Sequence, residues 1–324
     1  MLSACGGATE NSALEDYPRR IAAVLGKPVP QLQPAALPRW PAPASLPPAP
    51  EALRLSSADT LLLLRCGMTQ LLAQRNSTLA KVQDAGQTLH LDQQLLQALQ
   101  GCRDQTTDTT EQERLQDLVE AKSRQYQAQI VQAGAGSREF AQFLSYSEQG
   151  RGPMLAGVQA LEGLAEAVQQ AREDEAPMGS DWARLQQGLS ETRAGGRLLR
   201  QQQALHQAFA SANTLLRPWA EPGALCRPNY RPQKAVRLES VFRQLFLLEV
   251  QALWAEHQRL MSRSRVALAL LLDAQAGPAA QAYFQQAWAE GNPGQRALAA
   301  AASEHVRLWQ AILEACGSRP TPPP

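Results

Sequence analysis

Proline is concentrated in a few places in this chain, and those places decide what can be helical. Ten of the 22 prolines fall in the first fifty residues, none lies between Glu51 and Gly152, and four fall after Arg319. Each proline removes a backbone donor and restricts the residue before it. Lys27 to Pro50 (KPVPQLQPAALPRWPAPASLPPAP) is therefore excluded from helix. It is expected to be extended, partly polyproline II, and to act as a semi-rigid spacer. Leu32, Leu37, Trp40 and Leu46 recur through it, which places it along the surface of the folded part. The sharper alternative is a proline-rich docking peptide for a partner.

Elsewhere the apolar residues repeat with helical period. Ser12 to Leu25 spaces Leu14, Tyr17, Ile21, Val24 and Leu25 on one face, with Pro18 expected to kink or delay the helix. Ser56 or Ser57 is a candidate N-cap for a helix carrying Leu61, Leu64, Met68, Leu71, Leu72 and Leu79. A second helix over His90 to Leu99 follows a break near Gly86. Thr110-Glu111-Gln112-Glu113 has the capping-box form and opens a stripe of Leu115, Leu118, Val119, Tyr126 and Ile130. Further helices are expected over Ser137–Tyr146, Leu155–Ala171, Ser180–Leu216 (interrupted at Gly195-Gly196) and Ala235–Leu272. Gly277-Pro278 and Asn292-Pro293 set up two more starts, and Gly317 a stop. No stretch alternates like a strand. The fold expected is all-α, a multi-helix bundle of antiparallel helical hairpins behind a proline-rich extended N-terminal segment.

The 324 residues allow one large domain or two modest ones, and 44% hydrophobic content allows a substantial core. A net charge of +1 gives no electrostatic case for nucleic acid. The nearest candidates for a membrane span, Leu61–Leu64 and Val266–Leu272, are far shorter than the ~18 residues required.

Met1-Leu2-Ser3-Ala4-Cys5, followed by Gly6-Gly7, has the form of a bacterial lipobox, with Cys5 as the lipidated residue. A secretory signal needs a basic segment and an apolar stretch ahead of the cleavage site. The expectation is thus a longer precursor in which Met1 is internal. Residues 1–5 are then a remnant of the signal, 6–55 a tether with a short helix and the proline-rich spacer, 56–317 the helical domain, and 318–324 a disordered tail. With Cys5 lipidated, Cys66, Cys102, Cys226 and Cys316 remain. Four cysteines allow three connectivities. Cys66–Cys102 with Cys226–Cys316 is favoured, because each bridge then stays within one half of the chain; four buried free thiols are the alternative.

Catalytic patterns are sparse. The four histidines, His90, His206, His257 and His305, form no HExxH and read as surface or interface residues. No cysteine spacing fits zinc, and no nucleophile elbow or phosphate loop occurs. No metal and no cofactor is expected. One polar run stands out, Gln74-Arg75-Asn76-Ser77-Thr78, flanked by leucines. Asn and Ser compete for backbone hydrogen bonds inside helices, so Arg75, Asn76 and Ser77 are expected to form a buried polar network or, less simply, a ligand site. Arg75 could hold a carboxylate bidentately.

Several of these stretches resemble one family. Cys66-Gly67 followed by Gln74-Arg75-Asn76-Ser77-Thr78-Leu79-Ala80-Lys81-Val82 is similar to a motif of the domain of unknown function 3080 family, proteobacterial helical lipoproteins. So are Leu225-Cys226, Val241-Phe242-Arg243-Gln244-Leu245-Phe246, and His305-Val306-Arg307-Leu308-Trp309-Gln310 with Cys316-Gly317. The resemblance runs from about Leu14 to Gly317. It implies a signal peptide, lipidation, four cysteines in the folded part, and no assigned activity. Gln74, Thr78 and Ala80 depart from the family's Glu, Ser and Gly.

The function expected is that of a non-enzymatic lipoprotein on the periplasmic face of the outer membrane, binding an envelope protein and held to the membrane by its N-terminal lipid. Gly6 in place of Asp is compatible with outer-membrane sorting. The alternative is an enzyme acting on a cell-envelope substrate, with a cleft near Arg75, Asn76 and His305. Trp309, one turn beyond His305, belongs to the same candidate set.

Overall fold

Helix accounts for almost all regular structure in the computed structural model of the chain, which describes residues 12–48, 50–51, 53–77, 85–173 and 181–318. No strand occurs among them, apart from an isolated bridge between Arg227 and Tyr230. Among the described residues no helix is long and apolar enough to cross a membrane. The lipobox at Cys5, the run after Ser77 and the tail from 319 lie outside these residues.

The helices are α1 (Ser12–Leu25), α2 (Ser57–Arg65), α3 (Thr69–Asn76), α4 (Ala85–Gln105), α5 (Thr109–Ala133), α6 (Arg138–Phe143) and α7 (Met154–Arg172). They continue with α8 (Asp181–Thr192), α9 (Ala194–Leu216), α10 (Gln233–Val241), α11 (Gln251–Leu271), α12 (Pro278–Ala287) and α13 (Pro293–Ala315). Between α10 and α11 the helix widens to π geometry over Phe242–Val250. The chain forms two compact units. One comprises the chain up to Pro38, Arg197–Ser262 and Gln285 onward; the other comprises Arg39–Gly196 and Arg263–Phe284.

The first unit is built from both ends of the sequence. α1 buries Leu14, Tyr17, Ile21 and Leu25 in one core with Phe209 of α9, Leu238 of α10 and Trp309 of α13. Pro18 sits inside α1, and the helix continues through it with the proline itself buried. Tertiary packing of this face outweighs the local proline penalty. Asn292 caps α13 by accepting from the Gln295 amide at 2.9 Å, and Pro293 takes the first helical position. Beyond Leu25 the extended segment presents proline-region carbonyls that have no helical partner. Ser211 donates to the Pro30 carbonyl at 3.3 Å, and Gln203 to that of Ala35.

In the second unit, Ser56 and Asp59 form a full capping box at the start of α2, and Arg114 of α5 bonds both side chains. The single stripe expected from Leu61 is not formed through Leu72, and Leu79 lies outside the described residues. Gly67 at φ +76° breaks the helix between α2 and α3, which resets the phase. Leu62, Leu63 and Met68 face the core, while Leu61 is 63% and Leu64 39% exposed.

α4 starts at Ala85, beside the break expected near Gly86. Gly86 is packed so closely on Trp182 that a Cβ would overlap the indole. α5 is capped by Asp108, which accepts from the Glu111 amide at 2.9 Å, two residues before the expected Thr110. An acidic side chain there also meets the positive end of the helix dipole. The stripe of Leu115, Leu118, Val119, Tyr126 and Ile130 is buried as expected. α4 and α5 lie side by side with Asp92 against Lys122 and Arg103 against Gln116.

The break between α8 and α9 falls at Arg193, φ +48°, and not at Gly195-Gly196. Those glycines lie in the first turn of α9, where a Cβ on Gly195 would meet Phe143 and one on Gly196 the Ser145 carbonyl. They are contact residues. The spacer's Trp40 packs edge-on against Phe140 and Tyr283, each at 5.2 Å between centroids, and Gln132 donates to the Pro47 carbonyl at 2.6 Å. Leu32, by contrast, remains 38% exposed.

Candidate functional site

The sequence-selected polar residues fall into two clusters, one in each unit. Arg75, Asn76 and Ser77 belong to the second. They do not sit in mid-helix: Asn76 is the last residue of α3, and Ser77 is its C-cap, extended at φ −68°, ψ 154°. Ser77 Oγ donates to the Gln74 carbonyl at 2.8 Å. These residues end a helix, a position their competing side chains favour.

Arg75 does enter a polar network, with partners the polar run did not disclose. Its Nε lies 3.2 Å from Asp92 Oδ1 on α4. Lys122 Nζ on α5 donates to the same oxygen at 2.7 Å and to Gln125 Oε1 at 3.0 Å. Asp92 is fully buried and Lys122 3% exposed, whereas the Arg75 side chain is 32% exposed. Burial lowers the Lys122 pKa from the usual lysine range, with Asp92 opposing the shift and Arg75 adding to it. Asp92 Oδ2 has no hydrogen-bond partner among the described residues.

This cluster borders a cavity of about 160 Å³. Leu63, Met68, Leu72, Leu95 and Leu99 form its apolar wall, with Leu53 and Leu55 from the segment before α2. Arg75, Asn76, Lys122 and Gln125 supply the polar wall; Asp92 stands behind it. Sequence reasoning missed Asp92 and Lys122, yet each left a signal. Lys122 follows Val119 by three and precedes Tyr126 by four, and Asp92 lies three residues from both Leu89 and Leu95. A charge placed on a core-facing stripe implies a buried partner.

His305 and Trp309 belong to the first unit, where they meet Tyr17 and Asn213. His305 Nδ1 is 2.7 Å from Asn213 Oδ1, and Asn213 Nδ2 donates to the Ala301 carbonyl at 2.8 Å. The amide thus has its oxygen toward the imidazole, and Nδ1 of His305 carries the ring proton. Nε2 is then the acceptor for the Tyr17 hydroxyl at 2.7 Å. Trp309 Nε1 donates to the Tyr17 oxygen at 2.8 Å and lies 3.0 Å from His305 Nε2. One directed chain of protons runs Trp309, Tyr17, His305, Asn213, Ala301, each heteroatom satisfied.

Aromatic rings enclose the imidazole, with Phe246 at 4.9 Å and Phe209 at 5.2 Å between centroids. Burial drives the His305 pKa down to about 3, and pushes that of Tyr17 well above its ordinary value. His257 is 1% exposed, bonded through Nδ1 to Gln201 Oε1 at 3.1 Å, with its pKa lowered by burial to about 4. His257 and His305, expected to be surface or interface residues, are instead buried in the core. Each faces the core because a neutral imidazole finds a carboxamide partner there. Chemically, His305 is a neutral bridge with both nitrogens engaged. Tyr17 and Asn213 were not singled out from the sequence, because each resembles an ordinary helix-face residue.

Cys66 and Cys102 lie at disulfide distance, Cα–Cα 5.7 Å, as do Cys226 and Cys316 at 5.1 Å. Among the described residues no group of three His, Cys, Asp or Glu side chains is placed to hold a metal.

The sequence profile of a family described as Protein of unknown function (DUF3080) matches residues 14–320. No curated protein and no solved structure is similar to the chain. Because that match covers nearly the whole sequence, the chain belongs to the DUF3080 family.

Proposed function

We propose that this protein is a lipoprotein of the bacterial envelope, held through Cys5 to the periplasmic face of the outer membrane, and that it acts by binding. The observation that carries this reading is the pairing of cysteines. Two pairs at disulfide distance use Cys66, Cys102, Cys226 and Cys316. That leaves Cys5, in the Leu-Ser-Ala-Cys pattern, as the odd one of five. Paired cysteines suit an oxidising compartment, and an unpaired N-terminal one suits lipid. Binding is favoured over catalysis because His305 is held neutral with both ring nitrogens engaged, while the Arg75 cluster borders an open cavity.

The test is globomycin treatment of cells that express the full-length gene under metabolic labelling with palmitate. Accumulation of an unprocessed precursor, and loss of label on Cys5→Ser, are expected. Normal processing under globomycin, or undiminished label on the variant, would remove the anchor from the proposal.

A further inference from the structure

The cavity bounded by α2, α3, α4 and α5 combines an apolar wall with a polar one. Its larger wall is leucine and methionine: Leu63, Met68, Leu72, Leu95 and Leu99. Its smaller wall is made of donors. Lys122 uses two of its three N–H groups on Asp92 and Gln125. Arg75 meets Asp92 through Nε, which leaves the outer fork of its guanidinium without a carboxylate partner among the described residues. The Gln125 oxygen accepts from Lys122, so its NH₂ remains a donor.

Among the described residues, charge does not balance in this cluster. Arg75 and Lys122 bring two positive charges against one carboxylate, that of Asp92, which does not line the cavity. An uncompensated charge at a desolvated site is costly. One negative charge at the cavity wall would neutralise the cluster and occupy the open fork of Arg75, the geometry in which guanidinium groups hold carboxylates.

We propose that this cavity binds a monoanionic amphiphile, a carboxylate with a short apolar arm, head against Arg75 and Lys122 and arm among the leucines. The imbalance of one charge favours a carboxylate over a phosphate monoester, which carries about −1.5 to −2 at neutral pH. At 160 Å³ the cavity matches an apolar arm of about six carbons, since an engineered cavity of about 150 Å³ holds benzene. This inference rests on the reading of the chain as a binding protein and names its ligand class. It is independent of where the chain is held.

The experiment is calorimetric titration of the full oxidised chain with hexanoate, hexan-1-ol, hexylammonium and hexyl phosphate. Hexanoate is expected to bind saturably at one site, hexan-1-ol about tenfold more weakly or worse, and hexylammonium not at all. Arg75→Gln is expected to weaken hexanoate about tenfold and leave hexan-1-ol unchanged. Leu72→Trp, which fills the cavity and spares the ion cluster, is expected to abolish binding of both.

Equal affinity for acid and alcohol, full hexanoate affinity in either variant, or no saturable binding of hexanoate would overturn the proposal. Tighter binding of hexyl phosphate would also overturn it, in favour of a phosphate headgroup. A normally lipidated protein that fails these titrations would sink the ligand and leave the anchor standing. A chain that binds hexanoate but carries no lipid would do the reverse.

Discussion

Tyr17 and His305, 288 positions apart, share a 2.7 Å hydrogen bond in the core of the first unit. The bond joins α1 to α13, and the Trp309 indole closes a triangle by reaching both partners. That triangle makes the cost of removing the hydroxyl predictable. In Tyr17→Phe, Trp309 Nε1 can donate to His305 Nε2 directly, so the loss should be only about 1 kcal/mol, near the net worth of one hydrogen bond. Tyr17→Ala should cost about 3–5 kcal/mol, the range for removing a buried aromatic side chain. Urea unfolding of both variants checks this; equal losses would refute the bridging role of Trp309.

Acid should weaken the fold through its buried histidines. His305 and His257 have folded pKa values lowered to about 3 and about 4, against about 6.5 when unfolded. Between those limits the unfolded chain binds protons that the folded chain refuses, so stability is complete above about pH 6.5 and declines as pH falls. Each histidine should contribute a slope approaching 1.4 kcal/mol per pH unit. Urea midpoints compared between about pH 7 and about pH 4.5 should fall steadily, and more gently in His257→Gln. A flat profile would contradict the neutral assignment.

The Asp92–Lys122 pair should be expensive to break and cheap to replace. Asp92→Leu strands the Lys122 ammonium, 3% exposed, and should cost about 3–5 kcal/mol. Adding Lys122→Met should recover most of that loss, because two apolar side chains can pack where two charges were paired. A double variant as unstable as the single one would mean the carboxylate matters for something other than its ammonium partner.

Two helix glycines should respond to alanine with opposite signs. Gly101 in α4 has open space where a Cβ would go, so Gly101→Ala should stabilise by about 0.5–1 kcal/mol. At Gly196 the Cβ would overlap the Ser145 carbonyl, a backbone atom that cannot rotate aside. Gly196→Ala should therefore lower stability by about 1–3 kcal/mol or prevent folding. Thermal melts of the two variants decide it, and matching shifts would contradict the close approach.

Alkylation of the unreduced, denatured protein followed by mass spectrometry should find Cys66, Cys102, Cys226 and Cys316 unmodified. Four alkylated cysteines would end the disulfide assignment. Replacing Cys226 and Cys316 by Ser should cost about 2–5 kcal/mol, as for other native bridges.

The helical class, the stripe of α5 and the starts of α12 and α13 were legible because each rests on a local signal: period, cap, or Gly-Pro punctuation. The misreadings share a cause. Leu61 and Leu64 looked buried because the break at Gly67 rotates the stripe, and a single glycine inside an apolar run does not declare its φ. Gly195-Gly196 looked like a helix break because close packing and a chain turn both select glycine; the turn falls at Arg193, where nothing local marks it. At the candidate site Arg75 was visible as a charge beside leucines. Asp92 and Lys122 required comparing charge placement with the core stripe of two other helices. The Tyr17–His305 bridge depends on tertiary closure across nearly the whole sequence, which no window along the chain contains.

That closure has a consequence for biosynthesis. The second unit is complete once residue 284 has been made, whereas the first draws on α1 and on α13 alike. α1 is made before the helices it packs on, and its Tyr17 has no His305 or Trp309 to meet until α13 is synthesised. Before α13 is made, α1 can lie on Phe209, Leu238 and Phe246, but its Tyr17 hydroxyl has neither its imidazole acceptor nor its indole donor. Synthesis of α13, long after that of α1, is the event that completes the core around α1.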